Sequence, residues 1–227
     1  MLNTLTKIFS FDENDIAQIL NQNALKVILI NVLIIFICCG SYASTIGLWR
    51  SATQAMYVAI KFPALIFLTI FCNSLINWFT SLVFGLNIEY KQSLIIIFLC
   101  FTIFSIILFS FIPVNLFVLY NTPSSQSIDK TLGVSVFTIV NVIFISIAGI
   151  ISNIKLHKIL LLQINKKLAL KILLIWLAFN LFLGAQLSWN LRPFIGSPHL
   201  KVELIRSDAF KGNFYEDVYR KITNFIE

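Results

Sequence analysis

Five stretches of this chain contain no Asp, Glu, Lys or Arg: residues 27–49, 62–88, 92–128, 131–154 and 172–191. A helix needs about 20 predominantly apolar residues to cross roughly 30 Å of hydrocarbon, and the shortest of the five stretches has 20. No water is available inside a bilayer to satisfy backbone N–H and C=O groups, so only helices and closed barrels cross it. Long continuous apolar runs select helices. The expected fold class is an all-α, polytopic integral membrane bundle with about five transmembrane helices and an amphipathic helix at each end. Composition agrees: charged residues are 12% of the 227, against about 25% in a typical soluble domain.

Three regions follow. Residues 1–24 form an N-terminal amphipathic segment, with Phe11, Ile16, Ile19 and Leu20 at roughly helical spacing among acidic residues. Residues 25–190 hold the five spans. Residues 191–227 hold a turn, a short strand over "KVELIR" (201–206) and a second amphipathic helix over "GNFYEDVYRKITNFIE". The N-terminal segment is polar and acidic where a cleavable signal would be basic and then apolar, so the first span is expected to stay as an anchor. Residues 50–62 read as an interfacial segment turning into the second span, which begins near Pro63 in a first helical turn. Span three, 93–119, contains Pro113, which kinks or ends it. Residues 120–130 form a polar loop, and "KLHKILLLQINKK" a basic one.

The net charge is +7. In a chain of this class the cations belong beside lipid headgroups, so the expected partners are the bilayer and another membrane protein, not nucleic acid. Lys26, Lys91, Lys155, Lys158, Lys166, Lys167 and Lys171 fall on one side, and Arg50, Lys61, Lys130, Arg192 and Lys201 on the other. The balance favours a cytoplasmic N-terminus and an external C-terminus.

Chemistry-bearing patterns are sparse. No span has an ionisable residue near its centre, which argues against a proton-coupled pump. The span amides Asn31, Asn73, Asn77, Asn115, Asn141 and Asn180 read as inter-helix hydrogen-bond formers, with lining of a solute path as the alternative. His157 and His199 have no neighbours at metal-ligand spacing, and no nucleophile elbow, phosphate loop or dinucleotide fingerprint occurs. No cofactor, metal or catalytic residue is therefore expected. The function expected is that of a non-enzymatic accessory subunit or scaffold, with a small-solute or ion permease as the alternative and an intramembrane enzyme third.

Two patterns carry candidate structural or partner-binding residues. Gly40 with Ser44, and Ala43 with Gly47, are small-xxx-small pairs that let another helix come close. The stretch "GAQLSWNLRPFIGSP" puts Gln186, Trp189 and Asn190 on one helical face, followed by Arg192 and Pro193. It reads as an interfacial anchor, as a docking turn in which Arg192 donates to span-end carbonyls and folds the tail back, or as an active site. Phe214, Tyr215, Tyr219 and Phe225 then share the apolar face of the tail helix, capped by Asn213.

"QLSWNLRPFIGSP" followed by "FKGNFYEDVY" resembles uncharacterised bacterial polytopic membrane proteins that carry an "LRPF-G-P" turn after their last span. "GSYASTIGLWRSATQAMYVAIKFP" is similar to the same group. A more distant likeness to Yip1-type five-span proteins rests on span count alone. The resemblance implies a bacterial membrane origin and conveys no catalytic residue.

Overall fold

The computed structural model describes residues 24–85, 89–162, 164–196 and 201–226, and only the backbone of 221, 222 and 224–226. The expected N-terminal amphipathic segment, 1–24, lies outside these residues but for Ala24, which opens the first helix. Seven helices are described: α1 Ala24–Leu48, α2 Ala52–Val83, α3 Tyr90–Ser110, α4 Ile112–Asn121, α5 Lys130–Leu161, α6 Lys166–Asn190 and α7 Phe214–Ile226. Five of them, α1, α2, α3, α5 and α6, are long and apolar enough to cross a membrane. The chain is a multi-pass, all-helical membrane protein.

Cross-helix contacts set the directions. Gly40 of α1 faces Ala59 and Pro63 of α2, and Gly47 faces Ala55, so α1 and α2 run antiparallel. Asn31 pairs with Thr102 and Cys39 with Ser105, so α1 and α3 run parallel. Gln54 meets Pro193 just past the end of α6, while Asn73 meets Asn180 within it, so α2 and α6 run antiparallel. Two apolar clusters fill the interior. One gathers Val27, Ile95, Ile96, Leu99, Ile172 and Trp176. The other gathers Ile35, Tyr42, Ile46, Phe62, Phe98 and Phe137. The least buried spans, α5 and α6, present most of their surface outward.

Several boundaries differ from the sequence reading, each for a physical reason. Residues 52–62 are not a separate interfacial segment. They are the first third of the 32-residue α2, and Pro63 lies inside that helix. Ser51 supplies the N-cap in its place, its hydroxyl accepting from the Gln54 N–H at 3.1 Å. Met56 and Ile60 point outward, while Gln54, Ala55, Val58, Lys61 and Phe62 are buried. Of the two outcomes expected at Pro113, a kink or an end, the structure has the end: α3 stops at Ser110, short of residue 119, and Pro113 sits in the first turn of α4. The missing N–H of proline is tolerated there. The restart brings Asn115 to Thr45 Oγ1 at 2.8 Å.

Most of the basic run after span four is helical. Residues 155–161 form the last turns of α5, where Leu156, Ile159 and Leu160 are buried in the first cluster, and Lys166 and Lys167 open α6. Long lysine stems extend their charge away from such a core. Residues 201–206 form no strand. A lone strand leaves its N–H and C=O groups unpaired, and here the segment leads directly into a turn in which Ala209 N–H donates to Arg206 O at 3.0 Å.

Most of the span amides join helices. Thr102 Oγ1 donates to Asn31 Oδ1 at 2.5 Å, Tyr42 Oη to Asn141 Oδ1 at 2.8 Å, and Asn73 Nδ2 to Asn180 Oδ1 at 2.6 Å. Such bonds average about 0.6 kcal/mol each in membranes, so they set register more than they set total stability.

The two glycines of α1 are not equivalent. A Cβ on Gly40 would lie 3.1 Å from Ala59 O, whereas one on Gly47 would lie 2.6 Å from the backbone of Ala55 and Gln54. Ser44, half-buried between them, donates to Ser41 O of its own helix at 2.7 Å. We predict that Gly47→Leu prevents α1–α2 closure, destabilising the protein by about 1–3 kcal/mol or more through overpacking. Gly40→Ala should cost less, and Gly184→Ala, with nothing within 4 Å of its Cβ, should be neutral. Thermal unfolding of the three variants in detergent checks this order.

Candidate functional site

The stretch that ends α6 is assembled by three helices. Within α6, Gln186 Nε2 donates to Asn190 Oδ1 at 3.2 Å, which aligns both amides along one face. Beyond Asn190 the helix ends. The Arg192–Pro193 peptide is cis, and Gly196 has φ +89°, a left-handed conformation that glycine adopts without steric cost. The turn enters a recess on α2. Gln54 Nε2 donates to Pro193 O at 3.0 Å and to Phe194 O at 2.9 Å. Lys61 Nζ donates to Pro193 O at 2.6 Å and lies 5.7 Å from the centre of the Phe194 ring. Phe194 meets Phe62 edge to face, with ring centres 6.3 Å apart.

Lys61 is the main surprise. From sequence it belongs with the cations beside lipid headgroups, but it is only 3% exposed. The reason is spacing: Gln54 and Lys61 are seven residues apart on one continuous helix, hence on one face. Two turns separate them, and both side chains reach the same oxygen, Pro193 O. The turn's carbonyls need donors because they are withdrawn from water. The ammonium offers a charge-assisted bond, which is stronger than a neutral one.

Arg192 departs from its expected role. It was expected to donate to carbonyls at the end of its own span. Instead Nη2 lies 3.3 Å from Asp208 O and 3.4 Å from Asp208 Oδ2, and the guanidinium stacks on the Trp189 ring at 3.7 Å. Asp208 also pairs with Arg206 Nε at 3.3 Å. The span end has other partners: Leu191 N–H donates to Leu187 O and Arg192 N–H to Trp189 O. Arg192 therefore ties the tail to the indole that closes α6.

Tail residues complete the assembly. Phe214 N–H donates to Gln186 Oε1 at 3.1 Å, and its ring meets Trp189 edge to face at 6.5 Å. Tyr215 stacks on Phe182 at 4.8 Å and donates its hydroxyl to Phe182 O at 2.6 Å. Asn213 caps α7, its Oδ1 accepting from the Glu216 N–H at 2.8 Å. Tyr219 points away from the bundle, 71% exposed. Phe225 belongs to α7 by its backbone, and its side chain lies outside the described residues.

The structure thus brings Gln186, Trp189, Asn190, Arg192, Pro193, Phe214 and Tyr215 into one assembly. It leaves Gly40, Ser44 and Tyr219 apart from it. Gly47 joins through Gln54, whose backbone faces Gly47 and whose side chain holds the turn. Gln54, Lys61 and Asp208 were missed. The first two had a signal, namely two long polar side chains seven residues apart in a run without helix-breaking residues. Asp208 had none, because its pairing with Arg192 depends on the path of the intervening chain.

No protein family model matches this chain, and neither does any curated protein sequence or solved structure.

The assembly makes an ordered prediction. Arg192→Lys should release the tail nearly as fully as Arg192→Ala, because an ammonium cannot both stack on Trp189 and reach Asp208 as the planar guanidinium does. Gln54→Leu strands the Phe194 carbonyl, at about 1–3 kcal/mol for a withdrawn group left unsatisfied, while Lys61 still holds Pro193 O. Limited proteolysis in mild detergent should show faster cleavage in 201–213 for all three variants, with the spans intact.

Proposed function

We propose that this protein is a non-enzymatic accessory subunit or scaffold of a membrane complex, resident in a bacterial inner membrane with its N-terminus cytoplasmic and its C-terminus external. One observation carries the reading. The loop after α4 and the tail after α6 gather at the same end of the bundle, where Ser125 Oγ donates to Arg50 O and Gly196 abuts Arg50. Large apolar side chains stand out there: Ile128 is 98% exposed, Tyr120 84% and Phe210 79%. Exposed apolar groups rimmed by polar residues mark binding surfaces. Gln54, Lys61, Gln186 and Arg192 each hold the turn or the tail, which favours a docking platform over a reaction centre; Gln54 Oε1, Trp189 Nε1 and Arg192 Nη1 are buried there without a hydrogen-bond partner among the described residues.

A charged substitution tests this. Wild type should purify in mild detergent with a second polypeptide in fixed ratio. Ile128→Glu combined with Phe210→Glu should lose it while all five spans remain inserted. A wild type that runs alone at the mass of one chain would sink the reading.

The orientation is tested separately. Cysteines placed at Ser125 and Asn165 in a cysteine-free background should label from opposite faces of intact cells, with position 125 reached from outside.

A permease remains the second reading, on the observation that Asn73 Oδ1 and Asn77 Oδ1 are buried without a hydrogen-bond partner among the described residues. On that reading, proteoliposomes would take up a small polar solute and Asn77→Leu would abolish the uptake.

A further inference from the structure

The start of α7 is pinned at a measurable depth along α6. That span ends at Asn190. Phe214 N–H bonds the side chain of Gln186, four residues before that end. Tyr215 bonds and stacks on Phe182, eight residues before it. At 1.5 Å per residue these anchors lie about 6 Å and about 12 Å inside the end of the helix. They are also on the outward side, since Phe182 is 55% exposed and its neighbour Leu181 is exposed as well. A tyrosine ring accounts for part of the deeper reach, so the backbone of Tyr215 sits nearer the level of Gln186. The span has 25 residues, about 38 Å at 1.5 Å per residue, against roughly 30 Å of hydrocarbon; centred on that slab, each end overhangs by about 4 Å, and the level of Gln186 falls within a few ångström of the boundary between headgroups and acyl chains.

The apolar face of α7 continues from there. Val218 and Tyr219 follow Phe214 and Tyr215 by three and four residues, so they extend the same face, and both are exposed. Glu216, Asp217 and Arg220 occupy the opposite side. A face continuing from a side chain that already covers the lipid-facing surface of a span does not project into bulk water. Helices of this pattern bury their apolar side about 5–10 Å into the headgroup and acyl boundary, which matches the depth of the Gln186 anchor.

We propose that α7 is an interfacial helix whose Val218–Tyr219 side inserts into the outer boundary of the same leaflet that surrounds the end of α6, with phospholipid as its occupant. Insertion is apolar in origin. The first turn is acidic, with Glu216 and Asp217, so attraction to anionic headgroups is not what holds it. The tail then links the membrane boundary to the recess on α2, through Asp208, Arg192 and the turn. This inference is independent of any protein partner.

The test uses the full chain reconstituted in phosphatidylcholine vesicles. Spin labels are placed at Tyr219→Cys and at Arg220→Cys, with Cys38, Cys39, Cys72 and Cys100 replaced by alanine. The label at 219 should collide readily with dissolved oxygen and several-fold less with a water-soluble nickel chelate, at a depth of about 5–10 Å below the phosphates. The label at 220, exposed on the opposite side, should show the reverse. The native-cysteine protein carrying Tyr219→Trp supplies a second measurement that does not depend on the cysteine-free background. Relative to the unsubstituted protein, its added fluorescence should be quenched by lipids brominated near the headgroup and spared by aqueous iodide. Adding phosphatidylglycerol or high salt should change neither result. Equal nickel collision at 219 and 220 would place the helix in water and overturn the proposal. Shielding of 219 from both oxygen and nickel would place protein over it, with the same consequence. Insertion seen only with phosphatidylglycerol would overturn the apolar basis.

Discussion

The bond from Lys61 to the carbonyl of Pro193, together with the two bonds from Gln54, decides the shape of one whole end of this protein. A chain leaving a transmembrane helix must satisfy the last carbonyls of that helix and of whatever turn follows. Here the turn does not take its donors from water. It takes them from a neighbouring span, and one of them is a buried ammonium. Removing a lysine from water is costly. It is tolerated because the carbonyl oxygen and the Phe194 ring face supply negative charge density at the site. Once the turn is held, Arg192 is directed toward Trp189 and Asp208, and the tail follows.

The α1–α2 contact depends on the same short segment. Gly47 lets the backbone of α2 approach at Gln54 and Ala55. The close approach and the capture of the turn are therefore not two separate features. A bulkier residue at position 47 would displace the helix that presents Gln54. Energies in this interior are small individually, since van der Waals contact and single hydrogen bonds replace the hydrophobic drive available in water. Specificity comes from their number and from the penalty for leaving any polar group unmatched in hydrocarbon.

Much of the fold was legible because a bilayer restricts the choices so severely. The five uncharged stretches identify all five spans, and Asn213 with Glu216 announces the start of α7. The errors share one cause. Residues 52–62, the basic run at 155–158 and residues 201–206 were assigned by local polarity. Polarity along the chain does not say whether a helix continues beyond the hydrocarbon. Ser51 capping at one place and buried leucines at another carried α2 and α5 further than their apolar stretches suggested. The strand failed because pairing is a tertiary property, and no partner edge lies beside it among the described residues.

The sequence by itself determined the class, the number of spans, the close-contact glycines of α1 and the residues crowded around the end of α6. Each follows from composition or from helical spacing, which are local. Only the tertiary structure decided what those residues touch. Arg192 could have bonded its own helix end, lipid or the tail, and its sequence neighbours do not distinguish these. Lys61 could have been a surface cation. That it is buried against Pro193 depends on α6 running antiparallel to α2 and ending at the right height, which no window of the chain encodes. Contacts between residues more than a hundred positions apart, such as Lys61 with Pro193, exist only once the helices are packed.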